Sequence, residues 1–231
     1  MVLFDNEINK TLDLLNNLDL KELDIVDNLI EDVGNNNMIF KSDCAYELGY
    51  DKSLSFELSS SAIDIQDKIY LCGNDLNAID CDTDFIRITL LNIKDDKLDG
   101  NDLYERLEQI KLVKYKVSPK GYMLRSSVGN KERVRVSKDL KKNGSFSQIG
   151  SAYLKEYKKL AYVNNVTTIF IVGKCSLYDE FLSLANKKKE ISDALDHILK
   201  GMVINDCSAC SVKELCDEVQ GLREIHKNGK S

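Results

Sequence analysis

The stretch Val163-Asn164-Asn165-Val166-Thr167-Thr168-Ile169-Phe170-Ile171-Val172-Gly173 decides the fold. From Thr167 to Val172 every side chain is β-branched or aromatic and none is charged, so this run reads as an interior strand with both faces covered. Upstream, Ser145 with Gln148 three residues on has the form of a capping box, in which hydroxyl and amide satisfy orphan backbone donors. Ile149, Tyr153, Tyr157 and Leu160 then continue a helix on one face. Downstream, a long helix is expected from about Ser176 to Lys200, closed by Gly201. A helix, a buried strand and a second helix in succession belong to a sheet covered by helices.

Working outward, Leu54 to Leu58, Ile69 to Cys72 and Phe85 to Ile93 read as strands, the last with Ile86, Ile88 and Leu90 alternating. Asp99-Gly100-Asn101 opens a helix that places Leu103, Leu107, Ile110 and Val113 on one side. Tyr122 to Ser126 and Arg133 to Ser137 form a strand pair around a Gly129-Asn130 turn. Nearer the N-terminus, Leu12, Leu15 and Leu18, then Leu23, Val26, Leu29, Ile30 and Val33, predict two short amphipathic helices jointed near Leu18 to Leu20 and stopped by Gly34. The expected fold class is α/β: a mixed sheet flanked by helices, preceded by a helical pair and followed by a cysteine-rich metal-binding segment. Three parts follow, an N-terminal helical appendage (1–38), the α/β domain (39–202) and the cysteine tail (203–231).

The chain has 231 residues, 43% hydrophobic and 30% charged, enough to bury a substantial core. One Pro and twelve Gly exclude collagen-like and low-complexity character. The longest uncharged apolar stretch, Val163 to Gly173, is broken by Asn and Thr and is shorter than the ~20 residues that cross a bilayer, so no membrane association is expected. The acidic N-terminus lacks a basic secretory start, which points to the cytoplasm. Net charge is −6, yet residues 111–160 carry fourteen bases against three acids. One band of an acidic chain is strongly cationic.

Seven cysteines in a reducing compartment suggest metal rather than disulfides. Cys207, Cys210 and Cys216 crowd into ten residues as C-x2-C-x5-C, and His226 follows after nine more. Two thiols three apart grip one centre through a turn, and a third on the next helical turn closes another side. His226 or the distant Cys175 completes four ligands. A 4Fe-4S cluster suits this spacing, and zinc held by three cysteines and a histidine is the alternative. Bound metal would also supply the folding free energy that so short a tail needs.

In the cationic band, Arg133 and Arg135 share one face of their strand, with Lys138 close by, so the pair could grip a phosphate of a nucleotide-like cofactor or an acidic partner. An edge strand kept solvated by its charges is the competing reading. No aromatic is interleaved among these bases, so nucleic acid is not expected as a partner. Asp80, Asp82 and Asp84 lack the Gly and terminal Glu of a calcium loop and read as a solvated turn. His197, on the long helix, reads as structural.

From Tyr46 onward the sequence resembles the β-subunit type of acetyl-CoA synthase, which joins a methyl group, CO and coenzyme A in anaerobic one-carbon metabolism. Three segments carry the resemblance: Tyr46-Glu47-Leu48-Gly49 through Phe56-Glu57 with Lys68 through Leu76; Asn130 through Lys138 with Lys142-Asn143-Gly144; and the cysteine tail. The resemblance implies a middle-domain fold, coenzyme A near Arg133 and Arg135, a C-terminal iron-sulfur segment, and corrinoid or CO-dehydrogenase proteins as partners. The departures shape the expected function. Arg133 stands where the family has Trp, the second and third tail cysteines are five rather than eight residues apart, and His226 replaces a cysteine. The family's Cys-Gly-Cys nickel region lies beyond the last residue of this sequence. The resemblance therefore implies an accessory, non-catalytic relative, or an acyltransferase subunit whose nickel site another chain supplies; a zinc-stapled interaction module is the third reading.

Overall fold

A computed structural model describes residues 3–27, 38–94, 100–125 and 129–199. Its elements in chain order are α1 (Asp5–Leu15), β1 (Lys21–Leu23), β2 (Cys44–Ser60), β3 (Lys68–Cys72), β4 (Thr83–Ile93), α2 (Gly100–Lys116), β5 (Tyr122–Leu124), β6 (Val134–Ser137), α3 (Lys138–Asn143), α4 (Phe146–Lys158), β7 (Val163–Val172) and α5 (Tyr178–Leu199). The seven strands form one mixed sheet in the order β1-β3-β7-β4-β2-β6-β5. β2 and β4 run parallel, as do β3 and β7, and every other neighbouring pair is antiparallel. The α/β expectation holds, and β7 is an interior strand between β3 and β4. The sheet's two outer strands, β1 and β5, are three residues long each.

Helices cover both faces, and the period-two alternation of the strands sorts residues between two cores. On one face Phe85, Phe146 and Phe170 stack beneath α4, joined by Tyr153 and Tyr157. On the other, Leu54, Phe56, Leu58, Ile86, Ile88 and Leu90 pack against Phe4 and Ile8 at α1 and Phe181 and Leu195 of α5. α2 touches both α4 and α5 at the margin, with Ile110 and Val113 in the first core and Leu107 in the second. The capping box forms as expected: Ser145 Oγ accepts from Gln148 N, and Gln148 Oε1 accepts from Ser145 N at 3.1 Å.

Two expectations change. Where a second N-terminal helix was expected from Leu23, Lys21–Leu23 instead pairs with Ile69–Leu71 as strand β1; the remainder of that stretch, 28–37, lies outside the described residues. An open β3 edge offers ladder hydrogen bonds that outweigh helical periodicity in so short a segment. The strand expected at Leu54 begins ten residues earlier, at Cys44, and contains a bulge. Between the pairs Leu48–Thr83 and Ser53–Phe85, β2 has four residues against one on β4. That odd excess reverses which residues face which core, so Tyr46 and Leu48 lie in the first core whereas Leu54, Phe56 and Leu58 lie in the second. Gly49, at φ 76°, makes the turn.

Candidate functional site

The reversal in β2 puts Ser53, Ser55, Glu57 and Ser59 on the first-core face, all buried. Across the parallel ladder Ser55 pairs with Arg87 and Glu57 with Thr89, and Thr89 pairs with Thr168 on β7. The result is a polar seam inside an apolar layer. Arg87 is 0% exposed, Glu132 0% and Glu57 3%. Arg87 Nη2 donates to Glu57 Oε1 and to Glu132 Oε2, both at 2.8 Å, its Nε donates to both Glu132 oxygens at 3.1 and 3.0 Å, and Nη1 donates to Thr89 Oγ1 at 2.9 Å. The Tyr153 ring lies 4.6 Å from the guanidinium carbon, and its hydroxyl donates to Glu132 Oε1 at 3.4 Å.

Burial opposes charge on Arg87, but the flanking carboxylates, Glu132 foremost, outweigh it and keep the guanidinium protonated. Burial likewise pushes the Glu57 carboxyl up, yet Arg87, with Lys188 and Lys114 nearby, holds it below the ordinary range. The Tyr122, Tyr153 and Tyr157 hydroxyls are driven far above their usual range, chiefly by burial. The seam is therefore an ion cluster bonded within the core, a structural feature rather than a surface for substrate. Sequence reading passed over all three members. The available signal was Arg87 itself, a lone cation in the apolar run Phe85 to Leu91.

The cationic band lies on the opposite, outward side of β6. Val134 and Val136 point into the first core, so alternation turns Arg133 and Arg135 outward together, as expected. Their bonds differ. Arg135 Nε donates to Glu47 Oε1 at 2.8 Å and its Nη1 to Ile39 O at 3.2 Å, while Arg125 Nη1 reaches the same Glu47 oxygen at 2.5 Å. Burial pushes the Glu47 carboxyl up, but Arg135 and Arg125 outweigh it and set it below the ordinary range. Arg135 and Arg125 thus share one carboxylate, and the bonds of Arg135 are made within the protein. Arg133 and Lys138 are exposed, each donating to one backbone carbonyl, Tyr50 O at 2.9 Å and Ser42 O at 2.8 Å. β6 is not an edge strand, because β5 lies outside it. Tyr50, more than half exposed, comes beside Arg133 from a segment distant in sequence. The surface offers an anion two single cations, Arg133 and Lys138, rather than a paired guanidinium clamp.

The proposed metal ligands Cys207, Cys210, Cys216 and His226 lie outside the described residues. Among the described residues no three His, Cys, Asp or Glu side chains converge on a metal-sized site. Cys175, just beyond β7, is half-buried, and burial pushes its thiol up. The three aspartates form no cation site: Asp82 accepts from Glu47 N at 2.7 Å, Asp84 from Lys52 N at 2.9 Å, and Asp80 pairs with Lys141 at 2.8 Å. No described helix is long and apolar enough to cross a membrane. No protein-family model matches the chain, and no curated protein matches it.

Proposed function

We propose that the protein is an accessory, non-catalytic relative of the acetyl-CoA synthase middle domain that carries one metal centre, a 4Fe-4S cluster or zinc, on its C-terminal segment and acts in the cytoplasm beside corrinoid or CO-dehydrogenase proteins. The observation that carries this reading is the spacing C-x2-C-x5-C-x9-His over Cys207, Cys210, Cys216 and His226. Three thiols and an imidazole are a donor set that suits either centre. When bound, the centre supplies folding free energy to the segment that holds it.

The fold bears on the fourth ligand. α5 has 22 residues and is about 33 Å long, with Cys175 just before its first turn. From Leu199 to Cys207 the chain extends at most about 29 Å. Cys175 can share a centre with Cys207 only through a nearly straight return, which favours His226.

Anaerobic purification followed by iron, sulfide and zinc assays tests the reading. Expected is one cluster or one zinc per chain, lost or weakened in His226→Ala and retained in Cys175→Ser. A metal-free protein that folds normally overturns it, and loss in Cys175→Ser with retention in His226→Ala reverses the ligand assignment. The second reading, an acyltransferase subunit that binds coenzyme A, is favoured by exposed Arg133 and Lys138 on one face. It requires salt-sensitive calorimetric binding of coenzyme A that is lost in Arg133→Ala.

A further inference from the structure

Beside α1, on the second-core face, a cavity of about 730 Å³ opens between the end of that helix, the loop before β3, and the β3, β4 and β7 strands. Its size falls among small-molecule pockets, roughly 300–1,000 Å³. The floor is apolar: Leu15, Leu90 and Ile169, none more than 5% exposed. Leu12 and Leu18 continue the apolar surface up one wall, and Tyr70 stands on the other.

Charge around the mouth is one-sided. Lys68, the cation of the lining, is bound by Glu22 Oε2 at 2.9 Å, with Tyr70 OH at 3.5 Å from the same oxygen. The neighbouring Lys158 is paired with Asp67 at 2.8 Å. Asp19 and Asp64 both line the mouth, both are exposed, and neither has an ion-pair partner among the described residues. An anionic head group would meet two uncompensated carboxylates, and a neutral one would leave them as they are. A cationic head group gains from both while its apolar body covers the floor.

We propose that this cavity binds an amphiphilic organic cation, with an ammonium group at Asp19 and Asp64 and an apolar body against Leu15, Leu90 and Ile169. This site is independent of the cysteine segment and of any metal it carries.

Calorimetric titration of the full chain with n-octylammonium, octanoate and 1-octanol, each below its aggregation concentration, tests the proposal. Octylammonium is expected to bind once per chain and more tightly than either of the others, with affinity falling as salt rises. Asp19→Asn and Asp64→Asn are each expected to weaken it by about two- to fivefold, and the double variant by about tenfold, in line with exposed charge pairs. Both side chains are exposed, so circular dichroism of the variants stays unchanged. Octanoate binding as tightly as octylammonium, no octylammonium binding, or an unaltered affinity in the double variant each overturns the proposal.

Discussion

Arg87 is the side chain on which the first core depends. Its guanidinium is wholly enclosed and is balanced only because Glu57 and Glu132 are enclosed with it. Glu132 accepts from both Nε and Nη2, so Glu132→Ala leaves buried charged donors short of partners and is expected to cost about 3–5 kcal/mol, read from urea midpoints at neutral pH. Glu57 also sets an acid limit. Its folded-state carboxyl titrates below the ordinary value, so the unfolded chain binds the proton more readily. The stability this contributes is complete above about pH 4.3, the ordinary Glu value, and is lost as pH falls through the lower folded-state value. Stability measured from pH 6 down to pH 2 is expected to fall less steeply in Glu57→Gln than in the native protein.

At the scale of elements, β2 decides where that cluster can form. Without the bulge after Leu48, Glu57 would face α5 and the triad could not assemble. Gly49 holds the bend at φ 76°, and a Cβ there would stand 2.5 Å from Glu132 O and 2.6 Å from Ser53 Cβ. Gly49→Ala therefore strains the backbone and pushes on the segment carrying Glu132; a loss of about 1–3 kcal/mol is expected in thermal denaturation. The elements read most directly from the sequence were those whose signal is local. β7 announced itself by an unbroken β-branched run, and α4 by its capping box and its tyrosine spacing. β2 was read only in part, because a bulge breaks the period-two pattern that reveals a strand. β1 was misread as helix because three residues hold too little periodicity to speak against a partner forty-eight positions away, Glu22 beside Tyr70.

Across the whole molecule, the α/β class and the double covering of the sheet followed from the order of local signals, whereas the triad did not. Its members lie 30 and 45 positions from Arg87, and only the folded sheet brings them together. The outward turn of Arg133 and Arg135 was legible from alternation; the pairing of Arg135 with Glu47, 88 positions away, was not. Tyr50 meets Arg133 through its backbone carbonyl from 83 positions away, which is why a reading of consecutive residues found no aromatic interleaved among the bases from Arg125 to Lys142.

The two outer strands of the sheet have one more consequence. Among the described residues the terminal strands β1 and β5 each present only three residues of backbone, a short template for an incoming strand. Short terminal strands of this kind blunt the edges at which a sheet rich in isoleucine, leucine and phenylalanine could recruit a second copy.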